Sequence, residues 1–273
     1  MWKNLVMKKG LVSILLCTYN AQETIVQTLQ SCLNQTYQNF EILIHDDGSK
    51  DKTLVAIQKI NDSRIQVLNS WKKLGPYRWL NFLLDHANGE YIAIQDHDDL
   101  REPKKLEFQI QFLDKNTDYI WCGTKTRMRY EGDNKYFDYF LWEKNYYTLH
   151  PSLMFRNQGF RYPEDKVYMN DAWFQKEVLC KWKKKIKNLD QMLTIHRIKE
   201  GTKNYSYKRF SLNKENLHTL YHLHSWRYAT AALAIEIMRK ILYPFLQKIG
   251  QGSIIDKIER FPFILQGYCI ETL

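Results

Sequence analysis

From residue 11 the chain alternates near-continuous apolar runs of strand length with stretches in which apolar residues recur at helical spacing. LVSILLCTY (11–19) and FEILIHD (40–46) are rich in Val, Ile and Leu, the pattern of strands covered on both faces in a parallel sheet. Between them Ile25, Leu29, Cys32 and Leu33 share one helical face. Asn20 is expected as the N-cap of that helix, with Glu23 three residues on, close to a capping box. RIQVLNS (64–70) and YIAIQD (91–96) read as two more strands. The helix between them presents Leu80, Leu83, Leu84 and Ala87, and Gly89 is expected as its C-terminal cap. A further helix, with Pro103 in its first turn, carries Leu106, Ile110 and Leu113. This βαβα rhythm predicts an α/β fold with a doubly wound, mostly parallel sheet, whose ligands bind beyond the carboxyl ends of the strands.

Near residue 116 the rhythm gives way to longer, aromatic-rich segments. DYIWCGTKTRMRY (118–130) and HPSLMF (150–155) are expected as strands, DAWFQKEVLCKW (171–182) as a helix, and KWKKKIK (181–187) as its solvated end. Three regions follow: a ligand-binding half over 10–115, a substrate-shaping half over 116–205, and a basic, helical extension over 206–273. No internal repeat or low-complexity segment interrupts them.

With 273 residues, 44% of them hydrophobic, the chain can bury a sizeable core. Its 40 Lys and Arg against 30 Asp and Glu give a formal charge of +10, which favours an anionic partner: a nucleotide, an acidic glycan, nucleic acid or a membrane surface. Five cysteines without a CxxC pair exclude a disulfide framework or structural zinc and point to a reducing cytosol. MWKNLVMKKG (1–10) is too short and polar for a signal peptide, and charges break every later apolar run before the roughly 18 residues of a membrane span. Trp226, Tyr228, Ile237, Leu242 and Phe245, interleaved with Arg227, Arg239 and Lys240, suit either an amphipathic surface on an anionic membrane or packing in the core.

The polar clusters fall at the strand ends: TYN after the first, DDGS after the second, QDHDD after the fourth. Asp96, Asp98 and Asp99 place three carboxylates within four residues, where they repel one another unless something positive sits among them. A divalent metal carrying a phosphate-bearing ligand is the simplest candidate. A solvated acidic turn, with Asp99 capping the next helix, is the plain alternative. Asp46 and Asp47 are equally open to a plain turn-forming role.

VSILLCTYN (12–20), NQTYQNFEILIHDDGSKDKT (34–53), ANGEYIAIQDHDD (87–99) and a later Asn-Asp before an amphipathic helix resemble, in this order and spacing, the family 2 glycosyltransferases. These are inverting enzymes with the GT-A fold: a Rossmann-like nucleotide-sugar half, an acceptor half and, here, a C-terminal extension. The resemblance covers roughly residues 11 to 200. It implies that Thr18, Tyr19, Asn20, Glu23, Asp46 and Asp47 hold the nucleoside, Tyr19 offering a ring face and Asp47 accepting from a uracil N–H. Asp98 is implied as the ligand of Mn2+ or Mg2+, bridging protein and diphosphate, and Asp96 as the carboxylate near the ribose or donor sugar. Arg78, in LGPYRWLN (74–81), is implied as a phosphate contact, although Leu80 stands where family members often carry arginine. Asp171 is the implied general base, with Asn170 before it in place of the usual Glu; Glu164 and Asp165 in PED offer a rival alignment. Lys199 occupies the place of a histidine that helps the metal or diphosphate, and it and Arg197 are implied as diphosphate contacts. His97 receives no role.

The resemblance implies transfer of a sugar from a nucleotide diphosphate donor, uridine-linked, to a hydroxyl of a growing, lipid-linked surface glycan. It places the protein in the cytoplasm or peripherally on the inner face of the membrane through its C-terminal helices. Two departures, Asn170 and Lys199, keep open a degenerate protein that binds sugar nucleotide without turnover. A sugar nucleotidyltransferase calls for a glycine-rich phosphate loop where this chain has TYNAQET (18–24). A nucleic-acid-binding module conflicts with an acidic cluster that repels nucleic acid, so nucleic acid is not an expected partner.

Overall fold

The computed structural model describes residues 7–68, 76–131, 136–141, 148–165, 171, 173–175, 185–199 and 268–272. The first half runs β1 (Lys8–Thr18), α1 (Ile25–Leu33), β2 (Phe40–Asp46), α2 (Thr53–Gln58), β3 (Ile65–Val67), α3 (Pro76–His86), β4 (Gly89–Asp96), β5 (Leu100–Arg101) and α4 (Lys105–Lys115). There follow β6 (Tyr119–Glu131), β7 (Tyr136–Leu141), a 3-10 turn at His150–Ser152, β8 (Met154–Arg156), β9 (Lys185–Lys199) and β10 (Tyr268–Thr272). One sheet carries both halves in the order β10-β7-β6-β8-β4-β1-β2-β3, with β9 joined to β5 and β6. The strands β4, β1, β2 and β3 are mutually parallel, whereas β8 pairs antiparallel with β4 and β6.

Both faces of the parallel part are covered, as the continuous apolar strands require. Val12, Ile14 and Leu16 of β1 are buried with Ile25, Leu29, Leu106 and Ile110 on one face. Leu15, Leu43, Ile92 and Ile94 are buried with Leu80, Leu83 and Leu84 on the other. The alternation within β1 therefore feeds two cores rather than one core and solvent.

Five sequence expectations change, the last at KWKKKIK (181–187), whose final residues lie in a strand and not at a helix end. Gly89 opens β4 instead of capping α3: a Cβ there would stand 2.6 Å from Ser13 N and 2.7 Å from Leu11 O, so the close approach of β4 to β1 requires glycine. Pro103 precedes α4 rather than lying in its first turn, and its carbonyl accepts the Thr36 N–H at 2.8 Å. HPSLMF splits into the 3-10 turn and β8, because Pro151 withholds a ladder N–H. The extension is not uniformly helical: Tyr268–Thr272 pairs antiparallel with β7, an aromatic and β-branched segment suited to a sheet edge. Lys185–Lys187 belong to β9; the rest of the 176–184 stretch and the whole of 200–267, including the amphipathic tail, lie outside the described residues. No helix among the described residues is long and apolar enough to cross a membrane.

Candidate active site

The parallel register levels the strand ends, with Thr18 beside Asp46 and Cys17 beside Asp96. Past the ends of β1 and β2, two loops zip together. The Lys50 N–H donates to Asn20 Oδ1 and the Asn20 N–H to Ser49 Oγ, both at 2.8 Å, and Asn20 takes a left-handed φ of 49°. Asn20 is thus a loop clamp and not the cap of α1, which starts at Ile25 with Thr24 before it and no side-chain cap. Asp46 accepts from Ser49 N at 2.9 Å and Ser49 Oγ at 2.5 Å, one bond to each oxygen. Asp46 thereby closes the DDGS turn. Tyr19 is exposed, as expected of a ring offered to a ligand, and Glu23 is exposed before α1.

Asp47 is held differently. Its backbone N–H donates to Thr18 O at 2.8 Å, while its Oδ1 accepts the Trp79 indole N–H at 2.6 Å. Trp79 is buried and stacks on His45 with ring centroids 3.3 Å apart. The His45 pair with the Leu68 carbonyl, at 2.8 Å, requires the proton on Nδ1. Burial lowers the pKa of His45, which leaves a neutral ring whose buried Nε2 has no partner among the described residues. Thr18 Oγ1 is likewise buried without a partner. The register sets Cys17 opposite His45 and Thr18 opposite Asp46, so these two buried atoms lie on opposite faces of the sheet.

The acidic turn is built from behind. The carbonyl of His97 accepts from Thr24 Oγ1 at 3.0 Å and Thr28 Oγ1 at 2.9 Å, tying the turn to α1. Asp99 is fully buried and accepts from His196 Nδ1 at 2.9 Å and the Arg197 N–H at 3.0 Å. It does not cap α4. Burial, together with the charges of Asp98 and Asp96, raises its pKa to about 6 against the opposing pull of His196. Burial works against charge on His196, but Asp99 overrides it, and with Asp98 and Asp96 raises the imidazole to about 9. Arg197 sends Nε to the Asp98 carbonyl, Nη1 to Gln27 Oε1 at 2.6 Å and Nη2 to Thr28 Oγ1 at 3.4 Å. These bonds place its guanidinium beneath the turn. Lys199 ends β9, and its side chain lies outside the described residues.

Asp96 faces the other half. His150 Nδ1 lies 3.6 Å from Asp96 Oδ1, and His150 Nε2 lies 2.9 Å from the Tyr162 hydroxyl. Burial disfavours the Asp96 carboxylate, yet the hydrogen bond and charge of His150, aided by His196 and His97, lower its pKa. The turn that carries His150 is anchored by α4: Lys105 Nζ donates to Pro151 O at 2.6 Å and Gln109 Nε2 to Ser152 O at 2.8 Å. Tyr162 stacks on Phe174 at 4.1 Å. Burial raises its hydroxyl pKa, and Asp171 is the first of the nearby charges that reinforce the rise. Asp171, half-buried at the start of a helical turn, thus belongs to the electrostatic surroundings of Tyr162. Asn170 lies outside the described residues. Arg78 is exposed and 3.7 Å from Glu164; Glu164 also accepts from Asn81 Nδ2 at 3.2 Å, which gives PED a structural link to α3.

Sequence reading passed over Trp79, His150 and His196. Trp79 adjoins Arg78 and His196 adjoins Arg197, but neither spacing nor composition distinguishes them. His150, the first residue of HPSLMF, offered only a His-Pro before a strand.

The carboxylates of Asp96 and Asp98 are hard oxygen donors on a tightly anchored turn, a set that suits Mg2+ or Mn2+ sharing its shell with phosphate oxygens and water. Among the described residues no group of three or more His, Cys, Asp or Glu side chains could hold a metal alone.

A family model described as Glycosyl transferase family 2 matches residues 13–175, more than half of the chain. The chain belongs to glycosyl transferase family 2. A relative from Escherichia coli, the UDP-Glc:alpha-D-GlcNAc-diphosphoundecaprenol beta-1,3-glucosyltransferase WfgD, is 42% identical over 106 residues, covering 39% of this chain and 42% of its own length. The chain spans 36% to 42% of the first curated relatives it matches. Among solved structures, S. aureus TarS 1-349 in complex with UDP-GlcNAc superposes with a TM-score of 0.60 at 20% identity, over 85% of this chain and 73% of that one. The mannosyltransferase PcManGT from Pyrobaculum calidifontis, in complex with GDP-Man and Mn2+, superposes with a TM-score of 0.62 at 14% identity, over 94% of this chain and 84% of its own. Both likenesses concern the fold, which is the GT-A arrangement that the resemblance implies.

Proposed function

We propose that this family 2 member is an inverting glycosyltransferase that moves a sugar from a uridine diphosphate sugar to a hydroxyl of a lipid-linked surface glycan. The observation that carries this reading is the acidic turn after β4, with Asp96 and Asp98 at the level of Thr18 and Asp47, locked from behind by Asp99, His196 and Arg197. Tyr19, Thr18 and Asp47 receive the nucleoside. Asp98, with Asp96 beside it, holds Mn2+ or Mg2+, which when bound neutralises charge building on the departing diphosphate. Arg78 reaches toward phosphate from α3. Asp171 takes the proton from the acceptor hydroxyl as that oxygen attacks the anomeric carbon from the face opposite the leaving group. The 10–115 half serves the donor and the 116–205 half the acceptor; the basic extension favours work at the inner face of an anionic membrane. The WfgD relative, which by its name acts on a diphosphoundecaprenol-linked sugar, supports a lipid-linked acceptor.

The test is a panel of nucleotide sugars incubated with the full chain and Mn2+ or Mg2+, read for binding and slow donor hydrolysis. Cation-dependent hydrolysis of a uridine-linked donor is expected. Binding without hydrolysis or transfer to any supplied acceptor favours the degenerate protein, and no response to any nucleotide sugar contradicts the donor-site reading.

A further inference from the structure

We propose that Trp79 sets the base specificity of the donor site by fixing Asp47 as an acceptor with one oxygen available, matched to a uracil edge and mismatched to guanine. This rests on the donor-site reading above and adds the residue that decides between nucleotides. The question is real for this fold, since its solved neighbours hold UDP-GlcNAc in one case and GDP-Man in the other.

A carboxylate offers acceptors only, on two oxygens that stand side by side with about four lone-pair sites between them. Guanine presents two adjacent N–H donors, N1–H and N2–H, which fit both oxygens of one carboxylate. Uracil presents a single N–H flanked by two carbonyls. Here the indole N–H of Trp79 occupies Asp47 Oδ1 at 2.6 Å, and no other bond to the Asp47 carboxylate occurs among the described residues. Trp79 cannot readily swing away, because it is buried, stacked on His45 at 3.3 Å and held edge-to-face by Phe82 at 5.8 Å. His45 is itself tethered to Leu68.

Oδ2 is the oxygen left uncommitted: it satisfies the single uracil N–H, whereas the paired guanine N–H groups call on both oxygens and must share Oδ1 with the indole. Cytosine and adenine turn an unprotonated ring nitrogen toward the carboxylate and are rejected by lone-pair repulsion.

Trp79 also fixes the orientation of any amide put in place of Asp47. In Asp47→Asn the side-chain oxygen keeps the indole N–H, so the NH2 faces the base. That reverses the required edge, from the N–H of uracil to the ring nitrogen of cytosine.

Calorimetry of the full chain with Mn2+ and UDP, CDP or GDP tests this. For wild type, UDP is expected to bind at least about tenfold more tightly than GDP or CDP. Trp79→Phe keeps an aromatic ring against His45 but frees Asp47 Oδ1, and the UDP-over-GDP ratio is expected to fall by roughly tenfold. Asp47→Asn, which leaves the buried indole in place, is expected to weaken UDP by about tenfold or more and to bring CDP level with it or ahead. Circular dichroism melts establish that each variant is folded, and an unfolded Trp79→Phe leaves the decision to Asp47→Asn and the wild-type ratios. Should wild type bind UDP while GDP binds as well, or both folded variants keep the wild-type ratios, the role of Trp79 is wrong and the donor site stands. If wild type binds none of the three, both fall.

Discussion

The front and the back of the acidic turn are assembled by different means. At the front, the loops after β1 and β2 are joined by bonds between residues about 30 apart, Asn20 to Lys50 and Gln22 to Lys52. At the back, Asp99 and Asp98 are held by His196 and Arg197 from 97 to 99 residues away. The front exposes the Tyr19 ring; the back commits the polar groups of Asp99 and Arg197 to one another and to their neighbours. A site that receives a ligand needs both: open groups where the ligand enters, and a rigid support so that those groups do not reorganise on binding.

The sharpest way to break this contrast lies at the acceptor side. Asp171→Asn keeps shape while removing a proton acceptor, so transfer should fall by about 10²–10⁴-fold with donor affinity little changed. Asp165→Asn should leave turnover near wild type. A loss in the Asp165 variant alone would move the base to the PED segment, and a loss of donor affinity in Asp171→Asn would make that residue part of the donor site.

A smaller effect is expected at the bridge between the halves. His150 touches Asp96 on one side and Tyr162 on the other, so we expect His150→Gln to loosen Asp96 and lower turnover by about ten- to a hundredfold, with a rise in donor KM. Kinetics identical to wild type would show that the Asp96 carboxylate needs no such support.

The back of the turn should report itself through pH. The folded pKa of His196, about 9, exceeds the ordinary histidine value of 6.5, so the stability it contributes is fully present below about pH 6.5 and is lost as pH rises through 9. Between those limits wild type should lose up to about 3 kcal/mol relative to His196→Gln, read by urea denaturation at several pH values. Parallel curves for the two proteins would contradict a charged His196–Asp99 pair.

Much of the front was legible from sequence, for a physical reason. Strands buried on both faces must be apolar at nearly every position, so their ends, and the polar residues that follow, stand out. What lay beyond reach was the division of labour among like residues. Asp46 and Asp47 are neighbours of one type, yet Ser49 occupies both oxygens of the first and Trp79 one oxygen of the second. Asn20 carries the chemistry of a helix cap but turns to the Lys50 loop, because α1 starts five residues later. Arg197 is a phosphate-binding residue by type and a buried strut by position. His150 and His196 acquire their roles from partners far away in the chain, which no local pattern records.

The most direct test of the central claim is calorimetry of UDP binding to wild type and Asp98→Ala, each with and without Mn2+. We expect wild type to bind UDP tightly only when the cation is present and Asp98→Ala to lose that cation-dependent gain. Equal affinity in all four conditions would contradict a donor site organised around a metal at the end of β4.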